Sequence, residues 1–159
     1  MARTGLRAIE ISRALVGDIR QETGQPVLWI QGKGRDSKDD FVILTPEALE
    51  PIKSYLKARG RVKKDEPLFC SHSDRNRGED LTTRSVSRII KQALRGVGLD
   101  DSRLTAHSLR HTAISLSIQG GASLQQAQAM ARHSDSKTTL VYFHNLERIS
   151  LGAEKFIKF

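Results

Sequence analysis

One cysteine, Cys70, stands among 159 residues, so no intramolecular disulfide can form. That usage suits a reducing compartment. Within Leu68-Phe69-Cys70 the thiol reads as a small buried hydrophobe. No apolar run approaches the roughly 20 residues that a membrane-spanning helix needs. The first residues lack the apolar stretch of a signal peptide. Internal repeats, low-complexity tracts and long linkers are also missing. These absences exclude a disulfide scaffold, a helical membrane protein and a repeat array. They lead to the expectation of one globular, cytoplasmic domain spanning residues 1–159, a length sufficient to bury a real core.

What is present is charge of one sign in excess. Hydrophobic residues make up 38% and charged residues 28%, a globular composition. Lys and Arg total 26 against 18 Asp and Glu, giving a net charge of +8 and a pI near 10.0. Such a surplus favours a polyanionic partner, with nucleic acid first.

Hydrophobic patterning predicts a mainly helical chain with one small antiparallel sheet. Residues 27–31 and 41–44 are apolar and β-prone, and the intervening segment is glycine and charge. This predicts a β-hairpin with a long polar tip. Thr45-Pro46-Glu47 then has a capping hydroxyl, a proline at the first helical position and an acid in the first turn. Leu49, Ile52 and Leu56 mark the buried face of that helix, and Gly60 ends it. A second helix runs from Thr82 or Thr83 to about Gly96, with Val86, Ile89, Ile90, Ala93 and Leu94 as its apolar face. Arg84, Arg88, Lys91 and Arg95 recur at helical spacing on another face. They are either a solvated face or a stripe that tracks phosphates, since four like charges repel unless an anion lies against them. A third helix spans about Ala106 to Gln119 and stops at Gly120-Gly121. Ser123-Leu124-Gln125-Gln126 is a capping-box pattern that opens a short helix to about Arg132. A turn at residues 133–136 precedes a helix containing Tyr142, and the tail carries Phe156, Ile157 and Phe159.

Metal-free cleavage of a phosphodiester needs a nucleophile, stabilisation of charge on the non-bridging oxygens, and a proton for the leaving oxygen. Arginine suits the second task because its fork contacts two oxygens and stays charged. Lysine or histidine suits the proton work, and tyrosine can attack. His107 and Arg110 lie at i, i+3 on one side of a helix, with Leu109, Ala113 and Leu116 expected as its buried face. Alone, each feature has a structural alternative: a core tyrosine at Tyr142, a solvated Lys33, or an Arg7–Glu10 salt bridge.

Together these segments fall in a telling order. Thr4-Gly5-Leu6-Arg7-Ala8-Ile9-Glu10 is followed by Gly32-Lys33-Gly34, then His107-Ser108-Leu109-Arg110-His111-Thr112. Last comes His133-Ser134-Asp135-Ser136-Lys137-Thr138-Thr139, with Tyr142 beyond it. They closely resemble the catalytic boxes of the tyrosine recombinase, or phage integrase, family. The resemblance implies an α+β, mainly helical catalytic domain with the hairpin carrying Lys33. It implies cleavage and rejoining of double-stranded DNA through a 3′-phosphotyrosyl bond to Tyr142, with no cofactor, metal or ATP. It further implies that Arg7 and Arg110 clamp the phosphate and that Lys33 protonates the departing 5′ oxygen. His107 and His133 would serve the phosphate, and Glu10 would orient its neighbours. Lys38 is a second candidate on the same hairpin, whose tip also carries Asp36, Asp39 and Asp40. Where the family commonly has glycine before the second-box histidine, this chain has Arg132. The family's upstream DNA-binding domain is not matched, so the chain reads as a truncated catalytic domain. The whole recombinase would act as a DNA-bound homo-tetramer, and this portion by itself as a monomer.

Two other readings remain. Residues 106–132 can form a helix-turn-helix in a non-catalytic DNA-binding module. His107 and His111 have the i, i+4 spacing of a zinc-binding helix, with His133 or His144 as further ligands, but Ser108 stands where such a motif carries its general-base glutamate.

Overall fold

The computed structural model describes residues 1–157. Its elements are α1 (Ala8–Ser12), a 3-10 turn (Val16–Asp18), β1 (Ile19–Glu22), β2 (Gln25–Ile30), β3 (Asp40–Ile43) and α2 (Pro46–Arg59). Then come α3 (Thr83–Gly96), α4 (Ala106–Gln119), α5 (Leu124–Ala131), α6 (Ser136–Leu151) and a last 3-10 turn (Ala153–Phe156). The expected class holds: mainly helical, with one antiparallel sheet in the order β1-β2-β3.

The sheet has one strand more than the expected hairpin. β1 holds a single apolar residue, Ile19, so it shows no alternation to read. It is joined to β2 by Thr23 (φ 47) and Gly24 (φ 82), a two-residue turn whose left-handed backbone matches the twist of paired strands. β2 and β3 pair with Val27 opposite Ile43 and Ile30 opposite Asp40. Alternation then sends Leu28, Ile30 and Val42 inward. Trp29 and Phe41 meet on the other face with ring centroids 5.5 Å apart.

The inward residues form a core with Leu6, Ala14, Leu44 and Leu68, and the expected face of α2, Leu49, Ile52 and Leu56, packs on it. Thr45 occupies the α2 cap position but makes no capping hydrogen bond through its hydroxyl, so Pro46 at the first turn is the stronger start signal. Arg59 fastens the other end by donating Nη1 to the carbonyls of Pro67 (2.6 Å) and Leu68 (3.2 Å). Cys70 is buried and free, as expected.

The helices form the second half. Thr82 and Ser123 cap α3 and α5 through their side chains, as the sequence predicts. α4 ends at Gly120, and Gly121 takes φ 95. Two helix faces differ from expectation. On α3, Ile89 and Ala93 are exposed, and only Val86, Ile90 and Leu94 turn inward, because α1 and α4, the helices packed against it, cover a narrower stripe. On α4, the buried residues are Ala106, Arg110, Ala113 and Ile114, whereas Leu116 is exposed. The interior face of α4 therefore contains the arginine and not merely the residues beside it.

The tail stays on the surface. Ile149 (74%), Leu151 (72%), Phe156 (77%) and Ile157 (63%) are exposed. Phe159 lies outside the described residues. Deleting residues from Gly152 onward should therefore lower the melting temperature by less than about 3 °C, or about 1 kcal/mol for a domain of this size. A larger fall in a calorimetric scan of the free monomer would mean that the tail belongs to its own core.

Candidate active site

Glu10 sits at the centre of the site and is fully buried. Arg7 precedes α1 as its cap residue, and the helix turn brings Glu10 back over it. Glu10 Oε1 accepts from Arg7 Nη1 at 2.8 Å, and Oε2 accepts from the Arg7 backbone N–H at 2.7 Å. Arg132 approaches from the end of α5, with Nη2 donating to Oε2 at 2.7 Å and Nε to Oε1 at 3.2 Å. Burial pushes the Glu10 pKa up, but the hydrogen bond and charge of Arg132 and the hydrogen bonds from Arg7 outweigh it, so the carboxyl titrates below its ordinary value.

Arg132 stands where the family that the boxes resemble commonly has glycine, and its surroundings account for the difference. Its backbone is left-handed, at φ 52 and ψ 48. That conformation costs a non-glycine residue roughly 1–2 kcal/mol. The side chain is anchored in return by Glu10, by the Gly5 carbonyl at 3.0 Å and by the Met130 carbonyl at 2.5 Å. A glycine would fit the turn and supply none of this. Sequence reasoning saw only the misfit at this position and missed Arg132 as a site residue.

Arg110 completes the cluster from α4 and is 3% exposed. Its Nη1 donates to the Gly5 carbonyl and its Nη2 to the Ala131 carbonyl. Gly5 takes φ +60, and a Cβ there would lie 3.1 Å from Met130 Cε. That backbone lets one carbonyl serve both Arg110 and Arg132. Burial, and then the charges of Arg7 and Arg132, pull the Arg110 pKa down to about 10. Two guanidinium groups thus pair with one carboxylate and a third lies close behind them on backbone carbonyls, an arrangement that a bound anion would relieve.

Beside this cluster lies a row of rings. Tyr142 on α6 hydrogen-bonds His111 Nδ1 through its hydroxyl, with ring centroids 5.4 Å apart. His107 meets His111 edge-on at 4.2 Å. His133 stacks 6.4 Å from Tyr142 and shares a 2.9 Å hydrogen bond between Nδ1 and the buried Thr139 Oγ1. Burial, followed by Arg110, Arg7 and Arg132, drives the His133 pKa down to about 4, so the ring is neutral at pH 7. Burial raises the Tyr142 pKa despite the opposing charge of Arg110.

Lys33 lies on the β2–β3 connection and is exposed. With Arg7, Glu10, Arg132 and His133 it lines an open cleft of about 670 Å³. The other hairpin lysine is engaged, since Lys38 Nζ pairs with the buried Asp18 at 2.5 Å. Among the acids of the tip, Asp39 is matched by Arg35 at 2.9 Å. The structure therefore keeps Lys33, and not Lys38, available to the cleft.

The α3 stripe divides. Lys91 donates to the Asp101 and Leu104 carbonyls, and Arg95 pairs with Asp100 at 2.9 Å. Those two cations brace the loop after α3. Arg84 and Arg88 stay exposed and border a second cavity of about 460 Å³ with Thr82, Ser102 and Thr105. Among the described residues, no three of His, Cys, Asp and Glu converge so as to hold a metal ion. No helix there is long and apolar enough to cross a membrane.

The sequence profile of the phage integrase family matches residues 1–148. The chain is 32% identical over 142 residues to tyrosine recombinase XerC of Corynebacterium glutamicum, covering 89% of this chain and 43% of the relative. It is 35% identical over 143 residues to XerC of Chlamydia caviae, again covering 89% and 43%. The chain thus spans about two fifths of the length of these curated relatives. Its fold superposes on the XerH site-specific recombinase bound to a palindromic difH substrate with a TM-score of 0.74 and 28% identity, covering 94% of this chain and 42% of that one.

Arg132 permits a test of strain against charge. Arg132→Ala keeps the left-handed backbone and removes a buried partner of Glu10, so it should cost about 3 kcal/mol in urea unfolding. Arg132→Gly should cost roughly 1 kcal/mol less, because glycine relaxes the backbone. Equal losses would show that the turn is unstrained. His133 sets a second expectation. Its folded pKa of about 4 lies below the ordinary 6.5, so the unfolded chain binds the proton first. Stability should fall as pH drops from about 6.5 toward 4, and His133→Gln should remove part of that slope.

Proposed function

This chain belongs to the phage integrase family of tyrosine recombinases, and on that premise we propose that it cuts and rejoins double-stranded DNA at a specific site through Tyr142. The observation that carries this is the pairing of Arg7 and Arg132 with the buried carboxylate of Glu10, with Arg110 held behind them on the Gly5 carbonyl and the Tyr142 hydroxyl held by the next residue of α4, His111. Such a cluster suits a phosphodiester, and its positive potential grows in value as negative charge builds on phosphorus.

In the proposed step, the scissile phosphate lies against Arg7 and Arg110, held by guanidinium hydrogens not committed to carbonyls or to Glu10. Tyr142 Oη attacks phosphorus, the bond to the 5′ oxygen breaks, and Lys33 supplies that oxygen's proton. A neutral His133 that accepts from Thr139 at Nδ1 would present Nε2–H to a phosphate oxygen. His107 flanks the same site. The phosphotyrosyl bond retains the energy of the phosphodiester, so rejoining by reversal needs neither ATP nor a metal ion. Arg84 and Arg88 would hold flanking phosphates. The exposed tail would dock on a neighbouring subunit in a DNA-bound homo-tetramer of the whole protein.

A pool of nicked duplexes with randomised sequence tests this. The nick lets the short 5′ fragment diffuse away and traps the adduct. In excess chelator, the chain should form a denaturant-resistant adduct on Tyr142, and Tyr142→Phe should form none. Arg110→Lys should depress cleavage at least about 100-fold while weakening binding far less, since the fork acts mainly in the transition state. An adduct that survives Tyr142→Phe would sink the assignment. For the flanking contacts, neutralising Arg84 and Arg88 together should flatten the salt dependence of DNA binding by nearly two ions. Neutralising Lys91 and Arg95 should destabilise the fold more than it changes that slope.

A further inference from the structure

We propose that His111 is a catalytic residue that holds Tyr142 Oη and takes up its proton as the oxygen attacks. This rests on Tyr142 being the nucleophile proposed above. In the sequence His111 stands out as a member of the His107–Thr112 segment and as a potential zinc ligand beside His107, with no catalytic role of its own. The structure turns it toward the tyrosine instead.

Three features carry the inference. The first is contact, because His111 Nδ1 is the hydrogen-bond partner of the Tyr142 hydroxyl and the two rings stack at 29°. The second is placement. His111 follows Arg110 directly on α4, so the helix that delivers the buried guanidinium also fixes the imidazole, and α4 packs against α6, which carries Tyr142. The third is orientation. His107, one turn earlier on α4, braces the imidazole edge-on, with the ring planes at 88°. The ring is thus set between a neighbour that fixes it and a phenol that it touches.

The surrounding charges agree with this role. His107 and Arg110 face His111 from α4, Tyr142 faces it from α6, and His133 lies in the turn before α6, with Arg7 and Arg132 beyond. Partial desolvation of the ring beside the tyrosine, then His107 and Arg110, hold the His111 pKa below its ordinary value. At neutral pH the ring is therefore uncharged, and a lone pair is available at Nδ1 when the hydrogen sits on Nε2. Burial holds the Tyr142 phenol above its ordinary value, so the attacking group begins protonated and needs an acceptor within reach.

The step balances. The Oη–H proton passes to His111 Nδ1, the Oη–P bond forms, the P–O5′ bond breaks, and Lys33 protonates the departing oxygen. The imidazolium that results lies beside the phosphate it helped to attack. In rejoining, the same proton returns to the phenolate as it leaves.

Activation of the phenol can be measured without DNA, which separates this claim from the recombinase function. The chain has two tyrosines, Tyr55 and Tyr142. Tyr55 bonds to Cys70 and His72, well apart from the site, and serves as an internal standard. Phenylmethanesulfonyl fluoride sulfonylates phenols with loss of fluoride, and peptide mapping reads each tyrosine separately. With the unaltered chain, the Tyr142 rate should climb through the His111 titration below pH 6.5 and then level off. His111→Gln keeps an acceptor oxygen but cannot bind the proton. It should slow Tyr142 about tenfold or more at pH 7 and abolish that step, leaving a rate that rises only with ionisation of the phenol. The Tyr55 rate should not change. His111 is exposed, so the variant should fold. An unchanged Tyr142 rate or pH profile in His111→Gln overturns the proposal, as does a fall shared equally by Tyr55. Whether Tyr142 forms a DNA adduct is a separate result, and its absence would sink the recombinase function instead.

Discussion

One buried carboxylate holds the two halves of this protein together. Glu10 belongs to the first helix, beside the sheet, and Arg132 comes from the end of α5, 122 residues later in the chain. An unpaired buried carboxylate would cost several kcal/mol, so Glu10 demands cationic partners with good geometry. Arg7 and Arg132 meet that demand, and Arg110 comes in behind them through the carbonyls of Gly5 and Ala131. The N-terminal box and the helical boxes are thereby locked in one arrangement. The same lock concentrates cationic groups at one spot, so what stabilises the fold also makes it ready for an anion.

That surplus of charge explains the behaviour of its neighbours. His133 is kept neutral because burial and three arginines oppose its protonation. Arg110 is pulled down for the same reasons. Each of these costs would be relieved by a phosphate dropped among the guanidinium groups. The free protein therefore carries a preorganised electrostatic field that a negative ligand would complete.

The hairpin shows how charge is managed away from the centre. Its tip holds acids that would oppose the approach of DNA. Asp39 is matched by Arg35, and Lys38 is spent on buried Asp18. Lys33 is left exposed at the cleft edge. On α3 a similar division occurs, with Lys91 and Arg95 tied to the following loop and Arg84 and Arg88 open. A stripe that looks uniform in sequence is two structural cations and two available ones.

The sequence by itself determined the class, the order of the five longer helices, the caps at Thr82 and Ser123, the α2 face and the family that the boxes resemble. These depend on periodicity, on cap chemistry and on residue types at fixed spacing, all of which are local. It left β1 unseen, because an edge strand with one inward residue has no alternation. It misjudged the α4 face, because no local pattern says that an arginine will be interior; that depends on Gly5 and Ala131 offering carbonyls from distant segments. Arg132 was legible only as a residue where glycine was expected, and its pairing with Glu10 needed the fold. His111 and Tyr142 lie on separate helices, and nothing in either helix foretells a hydrogen bond between them. Tertiary structure alone decided which charges are spent and which remain available, because electrostatic energy depends on distance through space and not along the chain.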